Sequence, residues 1–281
     1  MRFTTLEDVT TPTLSIAFNA AFANYHVPLQ LNPEQLAAKF LADGFSPKHS
    51  VAAFDGDTLA GFIFHGIETL NGKLTAYNGG TGVLPDYRGK GLSMQMYEFI
   101  LPVLKKEGVE KSILEVICEN SGAIKVYKNV GFTRKRKVIC VKGSIQPKTI
   151  AKEFTVKHHF GEALMPVDDR FYDFYPTWQN TVESINRQHK DLMEIAAYEG
   201  SEKLGLLVLK KANGRILHFA VRKDYRYRGI GGLLLSYAAL ENPNLSMINI
   251  DNSKGKLADF LTERGFEYFL SQYEMEMPLH G

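Results

Sequence analysis

Arg88-Gly89-Lys90-Gly91-Leu92-Ser93 stands between an apolar, strand-like segment, Leu74 to Val83, and an amphipathic helical one, Gly91 to Glu107. Glycines at such a junction let the main chain approach a ligand closely and adopt conformations that other residues avoid. Successive N–H groups opening a helix make an anion site, which the helix dipole reinforces. Arg88 and Lys90 add positive charge. A diphosphate is the natural ligand for such a cradle. The spacing is not that of a P-loop, because Gly-Lys is followed by Gly, and it is not Gly-x-Gly-x-x-Gly either. The bland alternative is a strand-to-helix turn that uses glycine for geometry alone.

A second group follows downstream. Asn120, Ala123 and Tyr127 recur at three- and four-residue spacing on a short predicted helix, Gly122 to Asn129, and so share one face. Glu115 lies five residues before Asn120, within the apolar strand Ile113 to Ile117. A carboxylate there needs a partner or a task, because burying it alone is costly. Tyr127 as core packing and Glu115 as half of a salt bridge are the competing readings. Glu68 and His65, on an earlier strand segment, are weaker candidates for a base.

These residues need elements to hold them. Asn32-Pro33-Glu34-Gln35 is a helix start, with Asn32 as cap, Pro33 in the first turn and Gln35 closing a capping box. Ser50 to Phe54 and Thr58 to Phe64 are strands joined at Asp55-Gly56-Asp57, a hairpin signal. Leu74 to Val83 continues the sheet and contains Gly79-Gly80. In the helix from Gly91, residues Leu92, Met96, Phe99, Ile100, Val103 and Leu104 form one apolar face. Thr133 to Val141 is a further strand. Strands alternating with helices predict an α/β layer structure.

The chain also repeats itself. Val83-Leu84-Pro85-Asp86-Tyr87-Arg88-Gly89-Lys90-Gly91-Leu92 has a counterpart in Val221-Arg222-Lys223-Asp224-Tyr225-Arg226-Tyr227-Arg228-Gly229-Ile230. Val, Asp, Tyr, Arg and Gly fall at the same relative positions. Asn120-Ser121 with Gly131-Phe132 is echoed by Asn252-Ser253 with Gly265-Phe266. Two copies of one domain follow, 1–143 and 144–281, with a junction at Gly143 to Pro147.

With both motifs in hand, the sequence resembles the GNAT superfamily of acyl-CoA N-acyltransferases, whose signature is Arg/Gln-x-x-Gly-x-Gly/Ala at a strand–helix junction. Arg88-x-x-Gly91-x-Ser93 fits except for its last, still small residue; Arg226-x-x-Gly229-x-Gly231 fits throughout. The resemblance covers both halves and is strongest from Gly79 to Phe132. It implies two tandem GNAT-type domains, each a mixed twisted sheet flanked by helices. It further implies that Gly82, Val83, Arg88, Gly89, Lys90, Gly91, Leu92, Ser93, Met94, Asn120 and Tyr127 hold acetyl-CoA. Asn120 would contact the pantetheine and Tyr127 would protonate the departing thiolate. A phenol near ~10 can donate to a thiolate whose acid lies near ~8.5. Leu114-Glu115-Val116 ahead of Asn120 is similar to ribosomal-protein-alanine acetyltransferases, which implies Glu115 as the base. Neither Cys118 nor Cys140 is needed as a nucleophile.

Composition narrows the remaining classes. A formal charge of +2 gives no support for nucleic acid, and Arg134-Lys135-Arg136-Lys137 reads as a solvated strand edge. Two isolated cysteines offer neither a disulfide scaffold nor a metal site. No apolar run suits a membrane span, and the N-terminus lacks a signal peptide's apolar core, so a cytoplasmic location is expected. The second copy keeps the loop but has Leu261 where the first has Tyr127, and Met247 where the first has Glu115. It is therefore expected to be degenerate and non-catalytic. The acceptor is an amine, either a small molecule or a peptide. Acceptor contacts are expected from Phe18 to Phe45 and Phe160 to Trp178, where Tyr25, Phe171, Tyr172, Phe174, Tyr175 and Trp178 could line a pocket or fill the core. Two other readings stand beside this one: a non-catalytic acyl-CoA sensor or scaffold, and an aminoacyl-tRNA-dependent transferase of similar fold.

Overall fold

The computed structural model describes residues 1–23, 29–147, 154–253 and 256–279. The chain forms two compact units, Met1–Lys135 with Tyr273–Gly281, and Arg136–Gln272. Each is a mixed α/β unit.

The first unit holds β1 (Arg2–Thr5), α1 (Thr11–Phe22), α2 (Pro33–Asp43), β2 (Val51–Asp55), β3 (Thr58–Leu70), β4 (Lys73–Val83), α3 (Leu92–Lys106), β5 (Lys111–Ile117) and α4 (Ser121–Val130). Its strands run β1-β2-β3-β4-β5, followed by residues 273–278 of the last strand, β12 (Glu267–Pro278). The predicted capping box is present: Asn32 accepts from the Gln35 amide and the Gln35 side chain accepts from the Asn32 amide. The hairpin at Gly56 joins β2 to β3, antiparallel as the turn signal requires. One face of α3, with Leu92, Met96, Ile100 and Leu104, buries beside Tyr97 against Val51, Ala53 and Ile63. A second core forms between α1, α2 and the aromatic rings of Phe62 and Phe64, which stack 4.3 Å apart.

The second unit is built on β7 (Thr155–Phe160), α5 (Val182–Arg187), β8 (Met193–Glu199), β9 (Glu202–Lys210), β10 (Arg215–Val221), α6 (Ile230–Glu241), β11 (Asn244–Asp251) and α7 (Leu257–Thr262). Residues from Arg136 onward in β6 (Thr133–Ser144) pair antiparallel with β11, and the strands continue β10-β9-β8-β7.

Two features of this topology matter for function, and both occur in each unit. In the first, β4 carries one extra residue: Phe64 pairs with Gly80 and His65 with Asn78, leaving Gly79 as a bulge. The parallel pairing of β4 with β5 ends at Tyr77 and Ile113, so the two strands part beyond that point. In the second unit, Ile216 pairs with Leu209 and His218 with Val208, which leaves Leu217 as the extra residue. Parallel pairing of β10 with β11 likewise ends at Ile216 and Met247. Separated parallel strands expose the edges between which a ligand can lie.

Candidate active site

In the first unit the chain enters the loop after β4 through a short 3-10 turn, Pro85–Tyr87, and reaches α3 with Gly89 at φ +74° and Gly91 at φ +75°. That left-handed backbone favours glycine, and a side chain at either position would meet open space rather than protein. No side chain caps α3. The Leu92 and Ser93 amides thus face a clear approach, as an anion would require, whereas the Met94 amide donates to the Gly91 carbonyl at 3.0 Å. Gly82 is needed for another reason. The Phe62 ring lies against it, 2.3 Å from where a Cβ would stand, so only glycine admits this close approach.

The two cations of the loop are committed elsewhere. Arg88 donates from Nε to the Val83 carbonyl at 3.2 Å and from Nη2 to the Ala21 carbonyl at 2.9 Å. Lys90 donates to the Asp86 carbonyl at 2.9 Å and lies over the Tyr87 ring. Arg88 thereby ties β4 to α1, with its guanidinium spent on main-chain carbonyls.

A cavity of about 290 Å³ opens beside this loop, lined by Ala21, Phe22, Thr81, Gly82, Val83, Arg88, Ser93, Asn120, Ala123, Val126 and Tyr127. Of the residues expected to hold the cosubstrate, Gly82, Val83, Arg88, Ser93, Asn120 and Tyr127 meet there. Gly89, Lys90, Gly91, Leu92 and Met94 form the adjoining loop and helix start without lining the cavity. Asn120 is placed by its own cap, accepting from the Ala123 amide at 3.1 Å. Tyr127 is one turn further along α4, 9% exposed, with its ring edge-on to Tyr97 at 6.3 Å and to Phe132 at 5.8 Å.

Glu115 sits on β5 where the strands part, and its Oε2 accepts a 2.8 Å hydrogen bond from Tyr77 Oη. It does not line the cavity. His65 and Glu68 are also outside it. His65 is buried, its Nδ1–H donates to the His49 carbonyl at 2.8 Å, and burial lowers its pKa to about 4.

Sequence reasoning missed a polar chain behind the cavity. Asn78 donates from Nδ2 to Tyr97 Oη at 2.5 Å and to Thr81 Oγ1 at 2.8 Å, and its Oδ1 accepts from the Gly80 amide at 3.0 Å. This stitches the bulge at Gly79 to α3. Burial, then the nearby Tyr127, raises the Tyr97 pKa well above the ordinary phenol value, so Tyr97 stays a neutral support. A polar Asn in an otherwise apolar strand, directly before Gly79-Gly80, was the available signal.

The basic cluster at Arg134 is tied down: Arg134 lies over the Tyr273 ring at 4.0 Å, Lys135 pairs with Glu276 and Arg136 with Asp251. Among the acceptor-side aromatics, Phe171, Tyr172 and Phe174 line a separate cavity in the second unit, Trp178 is buried and Tyr175 is exposed. Tyr25 lies outside the described residues. Among those residues, no helix is long and apolar enough to cross a membrane.

Residues 17–132 match the family described as "Acetyltransferase (GNAT) family". A stretch of 93 residues, 33% of this chain, is 27% identical to N-alpha-acetyltransferase 30 of Schizosaccharomyces pombe and spans 62% of that protein. The whole chain superposes on a GCN5-related N-acetyltransferase from Sphaerobacter thermophilus with a TM-score of 0.72 at 12% identity, covering 96% of it. It also superposes on a tandem GNAT protein from the clavulanic acid biosynthesis pathway, with a TM-score of 0.68 at 13% identity and 99% coverage. At these identities the structural likeness speaks for the fold, a tandem arrangement included.

Proposed function

The chain belongs to the GNAT acetyltransferase family, and from that premise we propose that its N-terminal copy, residues 1–143, moves an acetyl group from acetyl-CoA to an amine by direct attack in a ternary complex. The observation that carries the reading is the meeting of Gly82, Val83, Ser93, Asn120 and Tyr127 around one cavity beside the open start of α3. Acetyl-CoA supplies an activated thioester. The amides of the Gly89–Ser93 segment receive its diphosphate, because they are the main-chain donors the left-handed glycines leave accessible; the Met94 amide already donates to the Gly91 carbonyl at 3.0 Å.

The new C–N bond forms as a neutral amine attacks the thioester carbon, and the C–S bond breaks. Tyr127 gives its phenolic proton to the leaving sulfur, and Glu115, oriented by Tyr77 and set outside the cavity lining, draws the proton from the amine through a bridging water. Solvent then returns both groups to their starting states. Edge contacts with Tyr97 and Phe132 hold the Tyr127 ring, so its hydroxyl position is set before substrate arrives. The second copy, which by the repeat begins at residue 144, is degenerate and does not carry out transfer, although residues 273–279 pack into the first unit.

The acceptor is an amine on a small molecule or a peptide. A thiol-release assay with acetyl-CoA across an amine library tests the proposal. Turnover that Tyr127→Phe nearly abolishes supports it; full activity in that variant removes Tyr127 from the chemistry. Coenzyme binding with no turnover on any amine would favour the sensor reading instead.

A further inference from the structure

Behind the bulge of each unit stand three side chains in corresponding places, and the two sets differ in kind. With Val83 matched to Val221, Asn78, Thr81 and Tyr97 correspond to Ile216, Phe219 and Leu235. The second set belongs to the apolar core of its unit, and Phe219 also lines a cavity of about 850 Å³. The first set is polar and joined by hydrogen bonds, with Asn78 5% and Tyr97 0% exposed. Burying an amide and a phenol is costly unless each is satisfied, and apolar side chains fill such space at least as well.

The bulge itself does not need the polar set. β10 makes its register shift between Ile216 and His218, with no amide at hand, just as β4 does beside Asn78. What the first unit has and the second lacks is a tyrosine on the following helix, Tyr127 against Leu261.

The polar set leads to that tyrosine. Asn78 Nδ2 donates to Tyr97 Oη at 2.5 Å and to Thr81 Oγ1 at 2.8 Å, while Oδ1 accepts from the Gly80 amide at 3.0 Å. With these bonds made the amide has one orientation, and it fixes the Tyr97 hydroxyl relative to the strand. The Tyr97 ring in turn stands edge-on to Tyr127 at 6.3 Å and to Phe132 at 5.8 Å. An aromatic edge contact carries a geometric preference that a leucine, as at position 235, does not supply. β4, α3 and the Tyr127 ring are thereby held in one fixed relation.

We propose that Asn78 is a positioning residue for acetyl transfer, acting through Tyr97 to fix the Tyr127 hydroxyl relative to β4. This rests on the reading of Tyr127 as the acid that protonates the departing thiolate. Asn78 itself touches no reacting atom.

The full chain is tested by thiol release from acetyl-CoA, with the fastest amine of a panel, and by calorimetry with acetyl-CoA. Asn78→Ile, which installs the second copy's residue, should lower kcat by about a hundredfold, the scale of a misplaced catalytic group. Tyr97→Phe keeps the ring, removes only the hydroxyl and is the milder change for folding; it should lower kcat by about tenfold. In both variants the acetyl-CoA Kd should stay within about twofold. Tyr97→Phe added to Tyr127→Phe should lower kcat no further, because the two act as a unit. A readout that needs no amine comes from ring-¹³C-labelled tyrosine: the Tyr127 resonances should shift or broaden in Asn78→Ile, although the two residues are on different elements. Parent kcat in Tyr97→Phe, a Kd that weakens in step with kcat, a further loss in the double variant, or unmoved Tyr127 resonances would each overturn the proposal, and a slow Tyr127→Phe would then leave the acid assignment standing. Full activity in Tyr127→Phe would instead remove the acid and, with it, the task assigned to Asn78.

Discussion

The loops after β4 and β10 are two versions of one device. Arg88 and Arg226 each donate from Nε to the carbonyl five residues before, Val83 at 3.2 Å and Val221 at 3.0 Å. Gly91 and Gly229 both take positive φ and precede an uncapped helix. Both strands bulge at the same relative position. The helices that follow β5 and β11 differ. The first, α4, has ten residues and starts from the Asn120 side-chain cap, whereas α7 has six and no side-chain cap. Tyr127 reaches a cavity from α4; Leu261, its counterpart, is fully buried. The strand–loop–helix unit persists on its backbone geometry and its arginine brace, while the tyrosine on the next helix can be lost without disturbing it.

Breaking the catalytic side of that contrast should give the largest effect. Tyr127→Phe is expected to lower kcat by about a thousandfold while the acetyl-CoA Kd stays within about twofold, read by thiol release and calorimetry. Leu261→Tyr should create no activity, because it adds a hydroxyl to a closed core and costs about 1–3 kcal/mol of stability.

The next effect is on stability, and each unit has its own histidine for it. His65 and His218 both have folded pKa values lowered to about 4 by burial, against about 6.5 in the unfolded chain. Between those values the unfolded chain binds more protons. The stabilisation is complete above about pH 6.5 and is lost as pH falls toward 4, amounting to about 3 kcal/mol per histidine. Denaturant midpoints at pH 7.5 and 4.5 should therefore converge more in His65→Phe and His218→Phe than in the parent. A parent-like pH slope in both variants would refute this account.

Smaller changes sharpen the comparison of the loops. Gly91→Ala places a side chain at φ +75°, a strain of roughly 1–2 kcal/mol. It should raise the acetyl-CoA KM about tenfold, whereas Gly229→Ala should leave that KM nearly unchanged. Smallest of all, Tyr227→Gly gives the second loop the residue that the first has at Gly89. Relief of the left-handed strain should stabilise the chain by about 1 kcal/mol or less, visible as a rise in thermal midpoint.

Much of this was legible because it is local. The capping box of Asn32 and Gln35, the turn at Gly56 and the amphipathic face of α3 are set by neighbours within a few residues. The two loops announced themselves by repetition. The role of Arg88 was not legible as a brace, since its partner Ala21 is 67 residues away in sequence. Glu115 appeared as a lone carboxylate, and the Tyr77 hydroxyl that orients it lies 38 residues back. Asn78, Tyr97 and Thr81 form a network whose members belong to different elements.

The amino-acid sequence by itself determined the duplicated loop, the strands and helices around its first copy and the resemblance to the GNAT family, because backbone preference and side-chain periodicity act over one or two turns. Tertiary structure decided which cations are spent on carbonyls, where parallel strands part, that Met275, Met277 and Leu279 bury with Tyr127, and that the roomier cavity belongs to the second unit. Those outcomes depend on contacts between distant segments, and such contacts exist only once the sheets have brought the segments together.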